Sequence, residues 1–206
     1  MTLPEHLPAA PDMLPAHVID NHTHLGSTTE YSGLGVEDSL TAAGLVGVAG
    51  VVDVGCDLPS SRAAAQLAAT DPRVRAAVAI HPNDAARLFQ RDGLAALDAE
   101  LAELPALAPL PGVVAVGETG LDYYRTRDAE AQQMQAHSFR FHIALARENN
   151  LTLVIHDRDA HADVLKVLDS MDLPERVVMH CFSGDADFAH ECVDRGFWLS
   201  YPGVVT

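Results

Sequence analysis

At 206 residues the chain is long enough for one ordinary domain, or for most of an α/β barrel, which typically runs to roughly 250 residues. With 48% hydrophobic and 20% charged residues and no window near the ~20 unbroken apolar residues of a membrane span, the composition excludes disordered and membrane-spanning classes. Thirteen Lys and Arg against 29 Asp and Glu give a net charge of -16, the wrong sign for a protein that coats nucleic acid by long-range attraction, although divalent metal can invert the charge of a single site.

The opening MTLPEHLPAAPDMLPA (1–16) carries prolines at 4, 8, 11 and 15 and no basic cluster ahead of an apolar stretch, so it reads as an extended, mobile leader and not a secretory signal. The first apolar run is HVID (17–20), followed at once by NHTHLG. Further runs come at GVVDVG (50–55), VRAAVAI (74–80), GVVAVG (112–117), LTLVIH (151–156), RVVMH (176–180) and GFWLS (196–200). Most lack polar alternation, the pattern of parallel strands buried on both faces. Helical character fills the gaps at 36–49, 60–70, 84–103, 128–149, 160–169 and 185–195, and LPALAPLPG (104–112) reads as a connection within the domain. In segment 128–149, Met134, Phe141, Ala144 and Leu145 supply an inward stripe while Arg140, Arg147 and Glu148 stay wet. Strand and helix alternate throughout, which predicts βα units in one domain, either a doubly wound sheet or a (β/α) barrel. Cys56, Cys181 and Cys192 form no CxxC pair; their odd number suits a reducing cytoplasm, with each thiol expected as a small buried apolar group.

The histidines carry the functional signal. His22 and His24 follow the first strand, His156 ends the fifth, His180 ends the sixth, and Glu118 follows the fourth. Parallel strands of a barrel converge at their C-terminal ends, where active sites of this architecture sit. Two histidines spaced HxH on extended backbone point to one side, and imidazoles with a carboxylate are the ligand set of Zn, Mn or Fe. His81, in IHPND, lies at the same face as a contact to substrate or to a metal-bound water, or is a loop histidine fixed by Pro82. Asp122 orients a ligand through a hydrogen bond or caps its turn, and Arg158 is a phosphate clamp or a surface ion-pair partner. His6, His17, His137, His142, His161 and His190 read as structural or solvent-facing. There is no GxxxxGK[ST], GxGxxG or GxSxG motif.

Seven pieces in order, IDNHTHL, VAIHPNDA, VGETGLDYYR, FRFHIALARENNL, LVIHDRDA, MHCFSGD and YPGVVT, together resemble the TatD family of metal-dependent deoxyribonucleases, a branch of the amidohydrolase-like barrels. The resemblance implies a TIM-type barrel, hydrolysis of DNA phosphodiesters by trimming from the 3′ end, and a site for two divalent ions, Mg, Mn or Zn. His22, His24, Glu118, His156 and His180 match the ligand positions, with Glu118 shared between metals. His142 stands where the family usually has Gln, and Thr152 where it often has Pro. The remaining metal-binding and catalytic aspartate of the family follows an eighth strand, so the resemblance places the base beyond Thr206. At about 31 residues per βα unit, 206 residues cover between six and seven units. Residues 17–206 are therefore expected to form a barrel lacking its eighth unit, with exposed strand edges and little turnover from these residues alone.

Two other readings stand beside this one. The same site could activate water against a small ester, lactone or amide, or the chain could be an inactive scaffold that keeps the histidines. A passive nucleic-acid binder is disfavoured by charge and by only 5% aromatic residues for base stacking.

Overall fold

The computed structural model describes residues 9–203. Seven parallel strands, β1 (Val18–Thr23), β2 (Val48–Val54), β3 (Val74–Val78), β4 (Val113–Asp122), β5 (Thr152–Arg158), β6 (Val177–His180) and β7 (Trp198–Leu199), pair in sequence order. The helices between them are α1 (Leu25–Ser32), α2 (Val36–Leu45), α3 (Leu58–Thr70), α4 (Pro82–Asp92), α5 (Leu94–Leu101), α6 (Ala129–Glu148), α7 (His161–Asp169) and α8 (Ala186–Asp194). This is the α/β barrel of TIM type that the resemblance implied, one of the two folds the alternation allowed; among the described residues it is open, with β1 and β7 as its two edges.

Local chemistry explains the helix starts. Asp57 accepts from Ser60 N–H at the head of α3, where Pro59 fits the first turn. Asp128 accepts from Ala131 N–H at the head of α6, and Asp185 from Phe188 N–H at the head of α8. The helical segment expected over 84–103 is two helices, because Gly93 at φ 84° turns the chain between α4 and α5. Helix α1, LGSTTEYS, was not anticipated: its polar sequence has no side-chain N-cap and no apolar stripe.

The core has two layers. Alternate strand positions such as Val51, Val78, Leu153, Ile155 and Met179 pack against Phe139, Ile143, Val164 and Leu168 of the helices. The intervening positions Val54, Ala77 and Ala115, with Val52 and Val154, form a second cluster on the opposite face of the sheet. Two expectations are corrected. Strand β1 is not buried on both faces: Val18 and Ile19 are 42% and 61% exposed, because β1 has a partner on one side only. The buried face of α6 is Ala131, Gln135, Ser138, Phe139, His142, Ile143 and Ala146, with Leu145, so Met134, Phe141 and Ala144 sit on its flank.

Residues 1–8 of the expected leader lie outside the described residues, and 9–16 carry neither helix nor strand. Leu14 N–H donates to Val46 O at 2.9 Å, which ties that stretch to the end of α2. Of the cysteines only Cys192 is buried; Cys56 is half-buried and Cys181, at φ 50° in the turn after β6, is exposed. No helix among the described residues is long and apolar enough to cross a membrane.

Candidate metal centre

Strand β4 runs further than its apolar run suggested, so Glu118 lies within the strand instead of after it. The glycines around it make this possible. A Cβ on Gly117 would meet Val154 Cβ at 2.6 Å, and one on Gly120 would overlap the His156 carbonyl, so both positions allow β4 and β5 to approach closely. The Gly117–Glu118 peptide is cis. Register pairs Gly120 with His156, Asp122 with Arg158 and His156 with His180, which lines up the ends of three neighbouring strands.

Glu118 is the hub. One carboxylate oxygen lies 3.5 Å from His22 Nε2 and 3.8 Å from His24 Nε2; the other lies 3.3 Å from His156 Nδ1. Burial opposes its ionisation, but the neighbouring His156 and His22 imidazoles outweigh that and hold the carboxyl well below its ordinary range. It is therefore an anion at neutral pH, available to a cation.

Each histidine is oriented differently. His24 Nδ1 lies 2.7 Å from the Val54 carbonyl, which can only accept, so that nitrogen carries the proton and Nε2 presents its lone pair toward Glu118. Both ring nitrogens of His22 are buried without a hydrogen-bond partner, and the ring stacks on His180 with centroids 3.4 Å apart. Buried unpaired nitrogens are costly in a folded protein and fit a site built for a ligand. His180 meets Ser200 Oγ at 3.3 Å through Nδ1, and burial with the nearby His22 holds its pKa down at about 4, so it is neutral and able to donate a lone pair.

His156 sits between two carboxylates, with Nδ1 facing Glu118 and Nε2 3.2 Å from Asp122 Oδ2. Burial pulls its pKa down, yet the bonds to Asp122 and Glu118 prevail and raise it to about 9. Asp122, 1% exposed, also accepts from Asn83 Nδ2 at 2.8 Å and from Arg125 N–H at 2.8 Å, while its own N–H donates to Gln135 Oε1. Both sequence alternatives for Asp122 are thus realised: it organises its turn and holds His156.

His81 begins α4, and its Nδ1 accepts from Asn83 N–H at 3.1 Å. Burial keeps the ring neutral, with a pKa of about 4, so its proton is on Nε2. Two triads bring candidate ligand atoms within 4.8 Å of one another, His22–His24–Glu118 and His81–Glu118–His156. The second includes His81, which the sequence marked as a contact to substrate or a metal-bound water, or as a loop histidine; its tautomer favours hydrogen-bond donation there. Arg158 lines the same cavity of about 720 Å³, in which His180 and Phe182 form the wall from β6 and the turn after it. Among the described residues it has no ion-pair partner, and it lies over the Tyr124 ring, 4.1 Å from its centroid.

Asn83, Gln135 and Tyr124 were missed by sequence reasoning. A signal for Gln135 was present, since polar Gln135, Ser138 and His142 recur at the spacing of one packed face of α6.

Residues 19–206 match the family model described as TatD related DNase. The chain is 41% identical over 192 residues to a protein of Mycobacterium tuberculosis named "Uncharacterized metal-dependent hydrolase TatD", covering 92% of this chain and 70% of that one. It is 33% identical over 170 residues to the "3'-5' ssDNA/RNA exonuclease TatD" of Citrobacter rodentium, covering 82% of this chain and 61% of that one. The crystal structure of YjjV, a TatD homologue of Escherichia coli, superposes with a TM-score of 0.70 at 25% identity, over 88% of this chain and 66% of that chain. The chain thus spans about two thirds of the length of these proteins. The donor set around Glu118 and these matches agree, and the chain belongs to the TatD family of metal-dependent hydrolases.

Proposed function

We propose that residues 17–206 carry the metal and substrate groups of a cytoplasmic deoxyribonuclease of 3′-exonuclease type, acting on DNA with two divalent ions, Mg, Mn or Zn. The observation that carries this reading is the Glu118 carboxylate held between histidines on both sides, with the two nitrogens of buried His22 unpartnered. His22, His24, Glu118, His156 and His180 would hold the ions, Glu118 serving both. Bound there, divalent ions supply Lewis-acid polarisation of the phosphoryl group and a lowered pKa for the attacking water.

The chain's own residues do the rest. Asp122 accepts the Nε2 proton of His156, so that release of the Nδ1 proton frees a lone pair directed at Glu118. His81 Nε2–H is a neutral donor to an oxygen of the reacting phosphate, and the Arg158 guanidinium offers a planar fork to another phosphate of the strand. DNA as substrate is supported by the family description and by the exonuclease name of the Citrobacter relative. The free state of all three cysteines supports a reducing compartment.

The test is nucleotide release from 3′-extended single-stranded DNA with protein in excess, so that slow turnover registers. The reading expects release that stops with chelator and returns with Mg or Mn. Metal-dependent hydrolysis of small esters or lactones with DNA left intact would replace it by the broader hydrolase reading.

A further inference from the structure

A cluster of guanidinium groups stands beside the metal centre with no acid to neutralise it. The chain has 29 acidic residues against 13 basic ones, and seven of its arginines are in ion pairs with carboxylates, as in Arg73 with Glu37 and Asp71 or Arg195 with Asp169. Yet among the described residues no carboxylate oxygen lies within 4.0 Å of the guanidinium of Arg125, Arg127 or Arg158. All three belong to the ends of β4 and β5 and the turn that follows β4, with Arg125 and Arg158 lining the cavity.

Tyr124 joins two of them. The Arg158 guanidinium lies 4.1 Å and that of Arg127 5.7 Å from the centroid of its ring, which is 50% exposed. The backbone beneath is braced: Tyr123 N–H donates to Arg158 O at 2.9 Å, the Tyr123 hydroxyl donates to Asp163 at 3.0 Å, and Arg125 N–H donates to Asp122. Two guanidinium groups over one aromatic ring, with that of Arg125 lining the same cavity as Arg158, are suited to an anion that extends past the reacting phosphate.

We propose that Tyr124 is a positioning residue that holds Arg158 and Arg127, with Arg125 beside them, as a subsite for the phosphate next to the one being cleaved, so that the site selects a polynucleotide end over an isolated phosphodiester. This rests on the nuclease reading above. Guanidinium over an aromatic face is attracted by the ring quadrupole, keeps its in-plane N–H donors free for a phosphate, and loses less freedom on binding than an arginine in open solvent.

The test compares the wild-type chain with Tyr124→Leu and Tyr124→Phe in two assays. The first is fluorescence-anisotropy binding of a labelled short oligodeoxythymidine at low ionic strength with Ca²⁺, a divalent cation that favours oxygen ligands. The second is Mn²⁺-dependent hydrolysis of bis(4-nitrophenyl) phosphate, which carries no second phosphate. Tyr124→Leu should weaken oligonucleotide binding about five- to tenfold, and Tyr124→Phe, which keeps the ring, should bind within about twofold of wild type. Neither should change kcat/KM for the small diester by more than about twofold. Unchanged binding by Tyr124→Leu, or equal losses in both variants, overturns the proposal. A parallel loss on the small diester also overturns it, since that would mark Tyr124 as a support of the whole site. A wild-type chain that hydrolyses the small diester but binds no oligonucleotide refutes the subsite and leaves the hydrolase centre standing; one that binds the oligonucleotide through Tyr124 and hydrolyses the small diester, yet releases no nucleotide from the bound strand with Mn²⁺, refutes the nuclease reading and leaves the subsite.

Discussion

Replacing Asp122 with Asn tests how the centre is held before any metal binds. The rise of His156 from 6.5 to about 9 corresponds to about 3 kcal/mol of folded-state stabilisation, at about 1.4 kcal/mol per pH unit. Glu118 shares that interaction, so roughly half, about 1.5 kcal/mol, goes with the Asp122 charge. The Asn83, His156 and Arg125 donors converge on this one carboxylate, and an amide leaves at least one of them facing another donor, at about 1–3 kcal/mol. The sum is a loss of about 3 kcal/mol, or about 6–12 °C in Tm for a domain of this size.

The sign with pH follows from both partners. His156 has its pKa raised by folding, so its contribution is complete below about pH 6.5 and is lost as pH rises through about 9. Asp122 has its pKa lowered, because the bonds from His156, Arg125 and Asn83 outweigh burial, so its contribution is present above about pH 4 and is lost in stronger acid. Thermal unfolding followed by circular dichroism in chelator should therefore show the larger deficit near pH 6 and a smaller one near about pH 9.5. A deficit of equal size at both would refute charge pairing as the cause and leave only hydrogen-bond geometry.

Two further outcomes follow from the same side chains. Because His156 is protonated at neutral pH, metal uptake near about pH 7.5 should release about one proton per chain, and affinity should rise about tenfold per pH unit up to about 9. Calorimetry in buffers of different ionisation enthalpy reads this directly, and a binding heat independent of buffer would count against it. The fully buried His142 accepts from Ile80 N–H at 3.1 Å and meets Thr119 Oγ1 at 3.1 Å, joining α6 to the connection that leads into His81 and to the strand that carries Glu118. His142→Leu strands both groups and should cost about 2–4 kcal/mol in urea denaturation, whereas His142→Gln, which keeps an acceptor, should cost less. Equal costs would show that packing, and not the hydrogen bond, is what the imidazole provides.

Most of the architecture could be read from the chain because its strands are short apolar runs separated by helices with explicit starts, such as Asp57 with Ser60 and Asp128. The gathering of His22, His24, Glu118, His156 and His180 followed from parallel strands sharing one end. What escaped depends on long-range contacts. Strand β4 outruns its apolar segment because glycines 117 and 120 let polar residues pass close to β5. The inner face of α6 is turned by the need of Asp122 and Thr119 for Gln135 and His142, a demand invisible in hydrophobic spacing. The exposure of β1 depends on which strands pair, and the charge of His156 depends on Asp122, thirty-four residues earlier. Nothing in the sequence sets Tyr124 apart from Tyr123; its place beneath Arg158 does.

The central claim is that Glu118 and its histidines form a divalent-metal centre. The most direct measurement is anomalous scattering from crystals of the chain soaked in Mn²⁺, with Glu118→Gln crystals treated alike. The account predicts density within bonding distance of the Glu118 carboxylate and the ring nitrogens of His22, His24 or His156, lost in the variant. Manganese bound only elsewhere, or bound unchanged without the Glu118 charge, would contradict it.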